Sequence, residues 1–113
     1  MEIADARHEG ILVLAIKGRL DANTSGVAQD KILAFIDQGE TRIVADLSQL
    51  AYISSAGLRV FMMAAKRMKS GQGKIVLCSL NNSLKEIFQI AGFTHLLPIH
   101  ETREDALQSL AAP

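Results

Sequence analysis

Two neighbouring hydroxyls, Ser54 and Ser55, lie at a point where the chain changes character, inside the stretch Asp46-Leu47-Ser48-Gln49-Leu50-Ala51-Tyr52-Ile53-Ser54-Ser55-Ala56-Gly57-Leu58. Apolar residues at helical spacing follow, so the serines mark a helix entrance. A serine there commonly caps the helix, which is worth about 1 kcal/mol. The same place suits a second chemistry. Unpaired backbone N–H groups and the positive end of the helix dipole converge on it, so an oxyanion or a phosphate ester on Ser55 meets a favourable field. By residue type alone, capping is the simpler account of both hydroxyls.

Two carboxylates invite an acid–base or divalent-cation reading, Asp21 after Gly18-Arg19-Leu20 and Asp46 at the end of Arg42-Ile43-Val44-Ala45-Asp46-Leu47. On neighbouring loops they could share a cation. Asp in turns more often accepts bonds from nearby backbone N–H groups. His8, His95 and His100 are far apart in the chain and lack ligand spacing. Neither Gly71-Gln72-Gly73 nor Gly18-Arg19 has phosphate-loop spacing, and G-x-S-x-G and Cys-x-x-Cys are missing. The expectation is a binding protein with no cofactor, no metal and no catalytic residues.

The elements that position these residues follow from hydrophobic patterning. Ile11 to Ile16 is a continuous apolar run, bounded by Gly10 and Gly18, which suits a strand covered on both faces. Glu2 to His8 pairs with it through a turn at His8-Glu9-Gly10. Asn23-Thr24-Ser25 opens a helix whose stripe is Ala28, Ile32, Phe35 and Ile36 and which stops at Gly39. After the Arg42 strand comes a central helix with Leu58, Phe61, Met62, Ala65 and Met68 on its core stripe. That stripe leaves Val60, Met63 and Ala64 on a flanking face beside Arg59, Lys66 and Arg67. Lys74 to Ser79 is a further buried strand. Ser83 and Glu86 have capping-box spacing ahead of a helix closed by Gly92, and Thr102 to Asp105 opens a last helix carrying Ala106, Leu107 and Leu110. Leu96 to Ile99 makes a short strand between them.

Such alternation requires crossovers between mostly parallel strands, so the fold class is α/β. The loops to inspect are Gly18 to Ser25 and Ser48 to Gly57. A chain of 113 residues, 49% hydrophobic, makes one domain over residues 1–113. Twelve basic and twelve acidic residues cancel, so no positive field draws nucleic acid or an anionic membrane. One Tyr, four Phe and no Trp do not furnish a base-stacking platform. The lone Cys78 and the acids Glu2 and Asp5 ahead of any apolar run fit a cytoplasmic protein without a signal peptide.

Taken together, the stretch from Asp46 to Leu58 resembles the signature of the STAS domain of anti-sigma factor antagonists, Asp-Leu-Ser followed by Ser-(Ser/Thr/Ala)-Gly-Leu. Gly18-Arg19-Leu20-Asp21 is similar to the family's Gly-x-Leu-Asp turn, Lys74 to Cys78 to its next strand, and Ile87-Phe88-Gln89-Ile90-Ala91-Gly92-Phe93 to its late helix and exit. The likeness spans essentially the whole chain. It implies a mixed, mostly parallel sheet with helices packed against it, and a role as an anti-sigma factor antagonist. In that role the unmodified protein binds a serine kinase of the ATP-binding, histidine-kinase-like type that is also the anti-sigma factor. Phosphorylation at the position of Ser55 releases it, and a serine phosphatase resets the cycle. Asp21 and Asp46 match the family's two acidic positions on the loop edge. Ser54 stands where many antagonists carry Asp, which makes it a second candidate acceptor. Ala56 replaces a frequent Ser or Thr and favours Ser55.

A monomer is the default expectation, meeting its partner through the loop-edge residues Asp21, Asp46, Ser54, Ala56 and Gly57 and, on the flanking face of the central helix, through Arg59, Val60 and Met63, although core packing is the simpler account of Met63. Two other readings stand beside it. A STAS scaffold or ligand-sensing module of a larger assembly would use the same fold without the switch. A small nucleotide-binding or hydrolytic protein would instead use Asp21 and Asp46.

Overall fold

The structure, a computed structural model, describes residues 1–92 and 95–111. Phe93, the last residue of the late-helix resemblance, lies outside the described residues. Strand β1 (Glu2–His8) pairs antiparallel with β2 (Ile11–Leu20). Helix α1 (Ser25–Asp37), strand β3 (Arg42–Asp46), strand β4 (Leu50–Ile53) and helix α2 (Ser55–Ser70) follow. Strand β5 (Lys74–Cys78), helix α3 (Asn82–Ile90), the two-residue strand β6 (Ile99–His100) and helix α4 (Arg103–Leu110) complete the chain. The sheet order is β1-β2-β3-β5-β6, parallel everywhere except β1 with β2. Between β1 and β2, Glu9 and Gly10 both adopt positive φ, 51° and 83°. Two consecutive left-handed residues give a turn whose twist matches the flanking strands, and Gly10 takes its share without penalty.

Period-two alternation explains why the central strands are apolar throughout. Leu12, Leu14 and Ile16 of β2, Ile43 and Ala45 of β3, and Ile75 and Leu77 of β5 join one core with α1, α2 and α3. Their alternates Ile11, Val13, Val44, Val76 and Cys78 face the other way and meet Ala106 and Leu110 of α4. Three helices thus cover one face and α4 the other, as expected for buried parallel strands. Phe61 of α2 and Phe88 of α3 meet edge to face, with ring centroids 5.7 Å apart.

Helix α4 buries little, so polar ties secure it. Arg42, first in β3, donates to the Leu110 carbonyl at 3.1 Å, and Arg103, first in α4, bonds Asp46, last in β3, at 2.7–2.8 Å. The helix runs antiparallel to β3 and is held at both ends. Its N-cap is Thr102, whose hydroxyl oxygen accepts the Asp105 N–H at 3.0 Å, in agreement with the capping spacing in the sequence.

Several expectations are corrected. β2 continues through Gly18 to Leu20, and Leu50–Ile53 is a strand rather than loop. β4 runs parallel to the far half of β2, with a register shift between Gly18 and Arg19. Its pattern, buried only at the two ends, has no period-two signal to read. The cap of α3 is Asn81, which accepts the Leu84 N–H at 2.9 Å, in place of Ser83. Thr24 stands at the N-cap of α1, but its hydroxyl donates to the Arg19 carbonyl and accepts the Asp21 N–H instead of capping.

Burial pushes the Asp46 carboxyl up, but hydrogen bonds from Ser48 and the Arg103 guanidinium outweigh it and hold the group below the usual carboxylate range. A carboxyl lowered in the folded state stabilises the protein above its unfolded pKa and loses that contribution as pH falls. We predict that Asp46→Asn is less stable than the parent at neutral pH and that the gap narrows as pH drops below about 4. Urea unfolding of both proteins across pH 3 to 7 measures this.

Candidate functional site

The site is built where β2 and β4 end together. Leu20 pairs with Ile53, and the Leu20 carbonyl accepts the Ser54 N–H at 2.9 Å. This bond ties the entrance of α2 to the exit of β2. Gly57, in the first turn of α2, lies directly against the same carbonyl. A Cβ there would come within 2.8 Å of the Leu20 oxygen and 2.7 Å of Ile53 Cγ1. Only a residue without a side chain lets the helix start so close to the strand.

Within this frame the two serines divide the duties that the sequence left open. Ser54 is the N-cap, extended in backbone, and its hydroxyl oxygen accepts the Gly57 N–H at 3.3 Å. Ser55 is the first helical residue and is exposed. Its hydroxyl makes no hydrogen bond among the described residues. One serine is engaged in the fold, and the other is exposed at the start of the helix.

Asp21 sits beside them. Its carboxylate accepts the Asn23 N–H at 2.9 Å and lies 3.8 Å from Arg19 Nε. The Arg19 guanidinium in turn stacks over the half-exposed Tyr52 ring, 4.2 Å from its centroid, a cation–π contact across the β2–β4 pair. Tyr52 and Arg19 were not anticipated as part of this edge, because recognising them requires knowing that Leu50–Ile53 is a strand in register with β2.

Asp46 does not belong here, which corrects the expected sharing of one loop edge. Its register partner in β2 is Ala15. Asp21 lies six residues farther along, just past the end of β2, so at roughly 3.3 Å per residue the backbone positions of the two acids are up to about 20 Å apart along the sheet. They cannot hold a common cation. Asp46 is spent instead on the Ser48 N–H, at 2.9 Å, and on Arg103. Among the described residues, no cluster of three or more His, Cys, Asp or Glu side chains is placed to bind a metal.

The flanking face of α2 also needs correction. Val60 and Ala64 are 1% and 0% exposed, and Gly57 is buried with them, so none of the three offers a side chain to a partner. The stripe is wider than the sequence suggested because α2 packs on the sheet and against α1 at the same time. Ala56 and Met63 are half-buried, and Arg59 is exposed. Of the expected core stripe, Leu58 and Met62 are only partly buried. Met62 and Met63 floor a groove of about 470 Å³ between α1 and α2, with Gln29, Arg59, Lys66 and Arg67 around it.

Among the described residues no helix is long and apolar enough to cross a membrane. Two substitutions separate the serines. Ser54→Ala removes the cap and is predicted to cost about 1 kcal/mol, whereas Ser55→Ala is predicted to change stability by less than about 0.5 kcal/mol. Gly57→Ala should cost roughly 1–3 kcal/mol by forcing the helix start off the strand. Urea midpoints of the three variants check all three values.

Comparison with known proteins agrees with this architecture. Residues 2–106 match the STAS domain model. The protein BtrV of Bordetella bronchiseptica, whose name assigns it provisionally to the anti-sigma factor antagonists, is 37% identical over 106 residues, covering 94% of this chain and 91% of BtrV. The crystal structure of an anti-sigma factor antagonist from Mycobacterium paratuberculosis superposes with a TM-score of 0.88 at 20% identity, over 96% of this chain and 92% of that one. The Bacillus cell fate determinant SpoIIAA, in its phosphorylated form, superposes with a TM-score of 0.76 at 20% identity, over 97% and 100% of the two chains. With its match running from β1 into α4, and a serine pair at the mouth of its central helix, this chain belongs to the STAS domain family.

Proposed function

We propose that this chain is an anti-sigma factor antagonist that works as a phosphorylation-controlled partner switch. The observation that carries the reading is the state of Ser55: exposed, first in a 16-residue helix, and relieved of capping by Ser54. A kinase needs a hydroxyl it can reach without unfolding its substrate. Ser55 meets that requirement better than Ser54, whose hydroxyl is half-buried and already engaged with the Gly57 N–H. The names of the curated relatives point to the same role, and a protein of this fold is described in a phosphorylated form.

In this reading the unmodified edge around Ser55, Asp21 and Arg59 docks on a serine kinase that is also the anti-sigma factor, displacing what that kinase otherwise holds. Transfer of the γ-phosphoryl group from ATP to Ser55 Oγ, with loss of the hydroxyl proton, adds about −1.5 to −2 charges at the contact. The bulk and charge end the fit, and a serine phosphatase restores it. The residues involved serve recognition; the chemistry belongs to the kinase.

Pull-down with the unmodified chain, followed by phosphosite mapping after incubation with the recovered kinase and ATP, tests the switch. Phosphate on Ser55 alone is expected. Ser55→Ala should bind the kinase whether or not ATP is present, and Ser55→Glu should bind at least tenfold more weakly. Equal affinities for the two variants, or phosphate on Ser54, would overturn the assignment.

A further inference from the structure

The charge distribution on α2 is one-sided. Its 16 residues include Arg59, Lys66, Arg67 and Lys69 but no Asp or Glu. The first turn is consequently empty of the acids that usually complement a helix N-terminus, whereas α4 places Glu104 and Asp105 there. Arg59 stands out among the arginines for a second reason. Arg7 pairs with Glu40, Arg19 with Asp21, Arg67 with Asp37 and Arg103 with Asp46, and Arg42 bonds the Leu110 carbonyl. Of the six arginines in the chain, Arg59 alone has no ion pair or hydrogen bond among the described residues.

Ser55 and Arg59 are both exposed and are four residues apart on this helix, the spacing at which side chains lie one above the other. The favourable order is met, with the anion on the N-terminal side of the cation. Continuing down the same stripe come Met62 and Met63, seven and eight residues from Ser55, and Lys66, eleven residues from it. Ser55 therefore heads the row of residues that line the groove between α1 and α2.

Resting on the reading of Ser55 as the modified residue, we propose that Arg59 is the internal receptor of the Ser55 phosphate, and that capturing it withdraws this cation from the head of the Met62–Met63 groove. Modification then acts twice on a partner. It adds negative charge at the helix entrance, and it neutralises the guanidinium that an acidic partner group would use. The guanidinium can offer two parallel N–H donors to phosphate oxygens, which a lysine ammonium cannot match in geometry. Arg19 competes least well, since it is already held by Asp21 and the Tyr52 ring.

The full chain with phosphoserine installed at position 55 during synthesis provides the test, with no kinase required. Phosphorus NMR at low ionic strength reads the second ionisation of the phosphate, near pH 6 in an unperturbed phosphoserine. The parent should titrate about 0.3 unit below Arg59→Gln, the size expected of an exposed pair at this spacing, with Arg59→Lys between them. Arg59 is exposed, so these variants retain the fold. Identical midpoints for parent and Arg59→Gln would overturn the inference, as would a shift produced by Arg19→Gln and not by Arg59→Gln. Failure of kinase phosphosite mapping would instead overturn the switch itself while leaving this titration unchanged.

Discussion

The carbonyl of Leu20 holds the site together. It accepts the Ser54 N–H and presses against Gly57, so one backbone oxygen fixes both the end of β4 and the beginning of α2. Everything functional at this edge inherits its position from that contact. Ser54 can cap because its backbone is extended by pairing with β2. Ser55 is exposed because the helix turns immediately after the cap. A side chain at position 57 would separate the helix from the strand and move both serines.

Long β2 makes this arrangement possible. Its first half pairs with β3, and its second half, beyond the irregularity at Gly18 and Arg19, pairs with β4. The sheet is thereby divided into two levels. The lower contains the two-sided core and the Asp46–Arg103 tie, and its business is stability. At the upper level stand Arg19, Asp21, Tyr52 and the serines, with exposed polar groups supported from below. Asp46 and Asp21 look equivalent as acids at strand ends, yet they belong to different levels and do different work.

Much of this was legible from residue order. The apolar runs of β2, β3 and β5 and the periodic helices yield the α/β class, and the Ser-Ser-Ala-Gly-Leu segment locates the helix entrance. What stayed hidden depended on tertiary pairing. Strand β4 is four residues long, with exposed Ala51 and Tyr52 in its middle, so neither periodicity nor length marks it. Without β4 in register, Tyr52 and Arg19 cannot be seen as neighbours, and Asp46 cannot be separated from Asp21. Helix α2 misled in another way: a helix packed by a sheet and by α1 together buries a broader arc than a single stripe, which is how Val60 and Ala64 came to be inside. The division of labour between Ser54 and Ser55 turns on one residue of helix phase, finer than pattern can resolve.

Helix α4 contributes Ala106, Leu110 and the partly buried Leu107 to its core and is otherwise fastened at its two ends. Beneath it lies Cys78, the chain's single cysteine, fully buried and with its thiol pKa raised first by burial. A thiol reagent in solution can reach that sulfur only when the helix swings off the sheet. The rate at which such a reagent labels the native protein is therefore a clock for the opening of that face, read from a single sulfur atom on the side of the molecule opposite α2.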